Sequence, residues 1–430
     1  MEATRTLEPR YQGAARQGQK VLIKNWFDGL CRSEERGEKV AYAFVIPSAF
    51  ELLRSFDIQV IALPEVQSLQ AAVKKVGQEY LTKSEELGYS LDVCGYVKID
   101  VGMMHMDMQH PLGKIPAPDL VVCPTLCNTY IKWAEIWKER FGVPVLLLDQ
   151  PSRIINPDSY WGSATFESDR RFMMGQLEDL IEVCEQITGK KFDPDKLAEY
   201  EDQWNRVGDL WMEIRDYNKR MPAVFDAFED GLYYMGGIQA CRGSAEAIPF
   251  MESIKQELQE RVELGIYPVE EERFRMFIDL APCWSKLRSF IGLFKRWDVL
   301  FVYGTYMSML VEPEFRYDLS RPLESLAESM IYFSTPHSVM NLFSNRLGQT
   351  IDLCKEYSID GVVLHAIKSC RAISGGIVDE REFLQRAGIP TLFLDSDLVD
   401  ARYFSEAQMR NRVDAFFETL EHKKYYRRDR

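Results

Sequence analysis

Short apolar, β-branched runs punctuate both ends of the chain. They occupy residues 40–46, 58–63, 120–123 and 145–148 in the first third, and 274–280, 299–303, 361–365 and 391–394 in the last. Each has the length of a strand, and most are bounded by Pro, Gly or Asp. The runs are nearly continuous in apolar residues, which suits parallel strands covered on both faces, and helical spacing fills the intervals between them. The middle of the chain differs. Residues 169–188, 195–217 and 245–263 all carry helical spacing, and in the first of these Phe172, Met173, Leu177, Leu180, Ile181 and Cys184 share one face. Asp193 before Pro194 predicts the cap of the second.

This pattern predicts an α/β fold with two Rossmann- or flavodoxin-like parallel-sheet domains joined by a helical segment. The expected organisation is an N-terminal helical arm (1–35), a first α/β domain (36–160), the helical segment (161–268) and a second α/β domain (269–430). At 430 residues the chain exceeds one ordinary core. Hydrophobic residues make up 46% and charged residues 27%, the profile of a globular protein in water. The formal net charge of -14 argues against nucleic acid as the main partner. The basic tail, residues 423–430, reads as a solvated end. No apolar run reaches the length of a bilayer span, and residues 1–19 hold no apolar signal core, so a cytoplasmic protein without a membrane partner is expected.

In that compartment thiols stay reduced. The nine cysteines, Cys31, Cys94, Cys123, Cys127, Cys184, Cys241, Cys283, Cys354 and Cys370, are therefore packed thiols, ligands or nucleophiles, not a disulfide framework. Ligands of parallel α/β sheets bind beyond the carboxyl ends of the strands. Cys123 and Cys127 follow the run ending near Val122, Cys283 follows the run ending at Leu280, and Cys370 follows the run ending near His365. Cys94 precedes a possible helix, whose first amides favour thiolate. No CxxC pair exists, and a zinc-ribbon reading lacks its second pair. HExxH, GxSxG and GxxxxGK[ST] are absent, as is a GxGxxG after the first strand. Gly375-Gly376 reads as a turn or helix start. Trp284, Tyr303 and Tyr306 fall near strand ends and suit either a flat apolar pocket or ordinary packing. Arg242-Gly-Ser-Ala-Glu-Ala reads as a helix start, where an Arg suits an anion such as a CoA phosphate or simply caps the surface.

Three stretches taken together resemble one family. They are Asp92-Val-Cys-Gly-Tyr-Val-Lys with Asp100 and Gly102, Pro118-Asp-Leu-Val-Val-Cys-Pro-Thr-Leu-Cys127, and Ile367-Lys-Ser-Cys370. The run Asp397-Leu-Val-Asp-Ala-Arg-Tyr-Phe-Ser405, Arg242-Gly-Ser-Ala-Glu-Ala and Trp284 complete the pattern. The chain resembles the benzoyl-CoA reductase / 2-hydroxyacyl-CoA dehydratase family over nearly its whole length. Within that family it is most similar to the larger catalytic-core subunit of the ATP-dependent benzoyl-CoA reductases, through Val97-Lys-Ile-Asp-Val-Gly-Met-Met104 and Ser374-Gly-Gly.

The resemblance implies a [4Fe–4S] cluster on Cys94, Cys127 and Cys370, with one iron open, and Cys123 and Cys283 as packing thiols. It implies a homologous sister subunit, a separate ATP-hydrolysing iron–sulfur activator with ferredoxin upstream, and an acyl-CoA substrate. The implied reaction is reductive dearomatisation of an aryl-CoA to a dienoyl-CoA by one-electron steps. The alternatives are dehydration of a 2-hydroxyacyl-CoA through a ketyl radical, or an electron-relay or scaffold subunit. Arg242, Trp284 and Lys368 are candidate substrate contacts. No proton donor can be selected from the sequence.

Overall fold

The structure is a computed structural model that describes residues 5–6, 13–46, 48–151, 159–279, 281–308, 315–334 and 346–428. Two four-stranded parallel sheets carry the architecture. The first contains β1 (Val40–Tyr42), β2 (Val60–Ala62), β3 (Leu120–Pro124) and β4 (Val145–Leu148). The second contains β5 (Phe274–Asp279), β6 (Val299–Gly304), β7 (Gly361–Ile367) and β8 (Thr391–Ser396). The spatial orders are β2-β1-β3-β4 and β6-β5-β7-β8, so the two sheets share one topology. In register terms Ala41 lies between Ile61 and Leu120, and Val362 between Phe277 and Thr391.

The two expected parallel-sheet domains are therefore present. The central strands β1, β3, β5 and β7 are buried along nearly their whole length, which is why their sequences read as continuous apolar runs. Two runs overshoot. The first ends as a strand at Tyr42, where the chain leaves the sheet for the loop before helix Phe50–Ser55, and the second, 58–63, is a strand only over Val60–Ala62. The fifth is a strand through Asp279; Leu280 lies outside the described residues, as do residues 1–4 and 7–12 of the arm and Asp429 and Arg430 of the basic tail.

Between the sheets stand helices Ala164–Thr188, Pro194–Asp216, Glu229–Ala240 and Ala247–Leu264. Asp193 caps the second as expected, accepting from the amides of Asp195 and Lys196. Glu229–Ala240 is a helix that periodicity did not reveal, because most of its residues are buried and no polar stripe marks a face. The chain then turns, and the next helix starts at Ala247 instead of directly after Arg242. Gly376 sits at the N-cap of helix Ile377–Arg386. Helix Ala14–Arg36 is tied to this layer through a buried ionic group. The Ala15 amide donates to Glu257, and Arg261 bridges Glu257 at 2.6 Å and Asp230 at 3.1 Å. Among the described residues, no helix is long and apolar enough to cross a membrane.

One buried acid in this layer should control stability. Glu201 is fully buried, and neither carboxylate oxygen has a hydrogen-bond partner. Burial, with Glu51 and Asp318 adding repulsion, pushes its pKa up to about 10. The folded state thus keeps a proton that the unfolded chain loses at ordinary carboxylate pH, and stability falls as pH rises through that window. Glu201→Gln should lose less stability than the parent chain between about pH 6 and about pH 9, read from urea unfolding midpoints.

Candidate cofactor site at the domain seam

Cys94, Cys127 and Cys370 are each the N-cap of an α-helix, and Cys283 caps the short 3-10 helix Trp284–Lys286. The three α-helices are Gly95–Met104, Asn128–Phe141 and Arg371–Ser374. Cys127 follows β3 and Cys370 follows β7, the equivalent strands of the two sheets. In each sheet the strand order reverses next to that strand, the position where open α/β sheets bind ligands. Cys94 comes from the crossover between β2 and β3.

Several specific contacts hold the three helix starts together. The Gly95 amide donates to Ser369 Oγ at 3.2 Å, joining the Cys94 and Cys370 turns across the seam. A Cβ on Gly95 would collide with Val399, so this approach requires glycine. Asp397 is buried and accepts from the amides of Ser369 (3.0 Å), Val399 (3.1 Å) and Asp400 (3.1 Å). On the other side, Asp100 Oδ2 in the Cys94 helix accepts from Trp133 Nε1 (2.7 Å) and Trp137 Nε1 (2.8 Å) in the Cys127 helix. Lys98, also buried, reaches Glu85 at 3.1 Å, and Arg402 of the second half binds the same Glu85 and Asp400. Gly102 packs against the backbone of Tyr80, where a Cβ would fall on the carbonyl oxygen.

Two predictions arise here. Asp100→Ala strands two buried indole N–H groups and should cost about 2–5 kcal/mol in urea unfolding. Asp100→Asn, which keeps an acceptor, should cost less. Gly102→Ala cannot be relieved by a side-chain movement, so a loss of about 3 kcal/mol or more is expected in the same measurement.

The electrostatics of the trio are specific. Desolvation pushes the Cys94 thiol well above its ordinary value, and the neighbouring Cys370 and Cys127 add to that rise. The amides of Tyr96 and Val97 act in the opposite direction. Each of the three keeps some surface accessible, whereas Cys123 and Cys283 are buried. The Cys123 thiol is pushed up to about 12 by burial, and Cys283 is raised by burial as well. No two of the nine cysteines are disulfide-bonded. Among the described residues, no three His, Cys, Asp or Glu side chains stand close enough to share a single metal ion. A cubane cluster makes a different demand, since each thiolate binds its own iron. Three thiols on three helix starts, with Cys370 and Cys127 both close enough to act on Cys94, are a donor set that fits a polynuclear cationic core.

The candidate substrate residues have different surroundings. Trp284 lies at the seam: its amide donates to Leu398 O at 2.7 Å, its Nε1 donates to the Tyr96 hydroxyl at 2.6 Å, and Tyr306 meets it edge-on at 5.5 Å. Arg242 is buried. Its guanidinium lies over the rings of Phe50 (4.8 Å) and Trp204 (5.1 Å) and donates to Val45 O at 3.3 Å. Lys368 is exposed, with Nζ 4.0 Å from the centre of the Tyr403 ring.

Glu65 was not singled out by sequence reasoning. It is the second residue of helix Pro64–Val73, just beyond β2, and is 4% exposed. Its Oε1 accepts from the Val45 amide at 3.3 Å, while Oε2 has no hydrogen-bond partner. Burial pushes its pKa up to about 7, against the opposing effect of the nearby Tyr130 hydroxyl and the Val45 amide. Its charge in turn acts on Tyr96, Tyr130, Tyr306 and Cys123, so it belongs to the same seam. The signal for it was the strand-end rule, which applies to Pro64-Glu65 as well as to the cysteines.

The 2-hydroxyglutaryl-CoA dehydratase, D-component family model matches residues 48–420. A benzoyl-CoA reductase subunit of Thauera aromatica is 33% identical over 424 residues, covering 94% of each chain. The (R)-phenyllactyl-CoA dehydratase alpha subunit of Clostridium sporogenes is 30% identical, covering 91% of this chain and 92% of its own length. The alpha subunit of (R)-2-hydroxyglutaryl-CoA dehydratase of Acidaminococcus fermentans is 26% identical, covering 94% of this chain and 96% of its own. The chain belongs to the benzoyl-CoA reductase / 2-hydroxyacyl-CoA dehydratase family, and these three relatives are subunits of enzymes acting on CoA thioesters.

Proposed function

We propose that this chain is the iron–sulfur subunit of an aryl-CoA reductase of the benzoyl-CoA type, holding a [4Fe–4S] cluster on Cys94, Cys127 and Cys370. The observation that carries the reading is the meeting of three N-cap cysteines at the seam of two like sheets. Cys94, Cys127 and Cys370 would hold the cluster, which would supply low-potential electrons one at a time.

The protein's own residues do the rest. Asp100, Ser369 and Asp397 fix the three ligand turns relative to one another. Trp284, Tyr96 and Tyr306 form an aromatic wall beside Cys94, suited to an aryl ring and to the exclusion of water. Glu65, whose pKa burial pushes up to about 7, is the group at the seam suited to give a proton to a reduced ring. Arg242 holds the Val45 carbonyl, and the Val45 amide holds Glu65, so Arg242 supports the loop that positions Glu65. The reading carries with it a sister subunit, an ATP-hydrolysing activator fed by ferredoxin, and a cytoplasmic location.

The second reading, a 2-hydroxyacyl-CoA dehydratase subunit, is favoured by the likeness to the phenyllactyl-CoA and hydroxyglutaryl-CoA enzymes. The same cysteines serve both. Anaerobic assay of the reconstituted complex with benzoyl-CoA and with a 2-hydroxyacyl-CoA decides between them. Reduction of the aryl thioester is expected; turnover of the hydroxyacyl thioester alone overturns the first reading in favour of the second.

A further inference from the structure

A cavity of about 230 Å³ opens on the domain seam beside the cysteine trio. One wall comes from the first half, through Lys75, Gly77 and Gln78, and the other from the second half, through Ser285, Lys286 and Val399. Its position is tied to the site at two points. Val399 fills the space that a Cβ on Gly95 would occupy, one residue after Cys94, and Ser285 follows Trp284.

The charge in this cavity is unusual for a chain of net charge -14. Lys75 and Lys286 are both exposed, and among the described residues neither is paired with a carboxylate. The nearest acids on the Val399–Ala401 wall are already engaged, Asp397 by three backbone amides and Asp400 by Arg402. Lys75 takes the left-handed position, φ 67°, in the turn that ends helix Pro64–Val73, with its amide on the Ala72 carbonyl. Gly77 opens the ten-residue helix Gly77–Glu86 on the same wall, so the positive end of that helix adds to the two ammonium groups, with Glu79 in its first turn as the opposing charge.

We infer that the Lys75–Lys286 cavity binds the nucleotide phosphates of the CoA moiety, anchoring the far end of the thioester whose acyl end lies at the cysteines. The inference rests on the reading of the substrate as a CoA thioester. It moves the phosphate anchor from Arg242, which is buried between Phe50 and Trp204, to two lysines on opposite walls of an open cavity.

The test uses the full chain purified anaerobically with its partner subunit, and the double variant Lys75→Gln/Lys286→Gln. The kcat/KM for the CoA thioester should fall by about tenfold or more, the loss of one or two charge-assisted contacts. The kcat/KM for the phosphate-free pantetheine thioester of the same acid should match the parent complex. No change with the CoA thioester, or an equal fall with both, overturns the inference. Equilibrium dialysis gives a readout independent of turnover: adenosine 3′,5′-bisphosphate should bind the parent complex and be lost from the variant. Equal retention by both complexes, no binding by the parent, or equally good binding of ATP or inorganic phosphate overturns it. If no thioester is turned over by either complex, the functional reading fails, and dialysis still decides the phosphate site.

Discussion

Replacing Cys94, Cys127 or Cys370 by Ala should remove both the iron and the activity of the chain. The expected fall is from about four irons per chain to nearly none, as one cubane cluster is lost. The three substitutions should act alike, because in the proposed site each thiolate would hold a different iron and the remaining thiols nearby are buried in the strands and core. Cys123 is the only other cysteine close to Cys127 in sequence, but it lies within β3 and is fully buried. Cys283 is likewise buried and turned to Ser285. Cys184→Ala is the control: Cys184 packs on helix Ala164–Thr188, in the core of the first half, and its loss should leave the iron in place. Iron and sulfide determination on the anaerobic protein, with visible absorbance, reads each case. Asp397→Ala should give an intermediate result, a loss of about 10–100-fold in cluster affinity, since it orients the Cys370 turn without touching the metal.

Glu65→Gln should lower kcat by about 10²–10⁴, the range of a lost general acid, with the iron content retained. The pH dependence carries the sign. With a pKa near 7, Glu65 is mostly protonated below neutrality and mostly ionised above it. A proton donor of this kind gives a rate that is highest on the acid side and falls as pH rises through about 7. The Gln variant should lose that limb of the profile along with the rate. A merely structural role would lower activity evenly across pH. Stability follows the same direction: the folded carboxyl binds its proton more tightly than the unfolded one, so the parent chain loses stability between ordinary carboxylate pH and about 7, and the variant loses less.

Legibility from sequence differed by element, and the reasons are physical. Strands buried on both faces announce themselves as apolar runs, so both sheets were readable. Helix Glu229–Ala240 was not, because burial nearly all round leaves no amphipathic stripe. Cys127 and Cys370 were reachable through the strand-end rule, since each caps the helix after the third strand of its sheet. Cys94 was not reachable that way. It lies in a crossover, and only the resemblance selected it. Its partners explain the motif: Gly95 permits the approach to Val399, Lys98 meets Glu85, Asp100 ties two helices, and Gly102 lies on the Tyr80 backbone. Glu65 looked like an ordinary acid in the first turn of a helix. Its character comes from being buried at a seam that only the folded chain creates. Lys75 and Lys286, some 200 residues apart in sequence, are joined in one cavity by that same seam.

The three-thiolate site is tested most directly by iron Mössbauer spectroscopy of the anaerobically purified, isotope-enriched chain. The account predicts one cubane of about four irons in which one iron differs from the other three, because three cysteines leave it without a thiolate. Four equivalent irons, or full iron retained in Cys370→Ala, would contradict it.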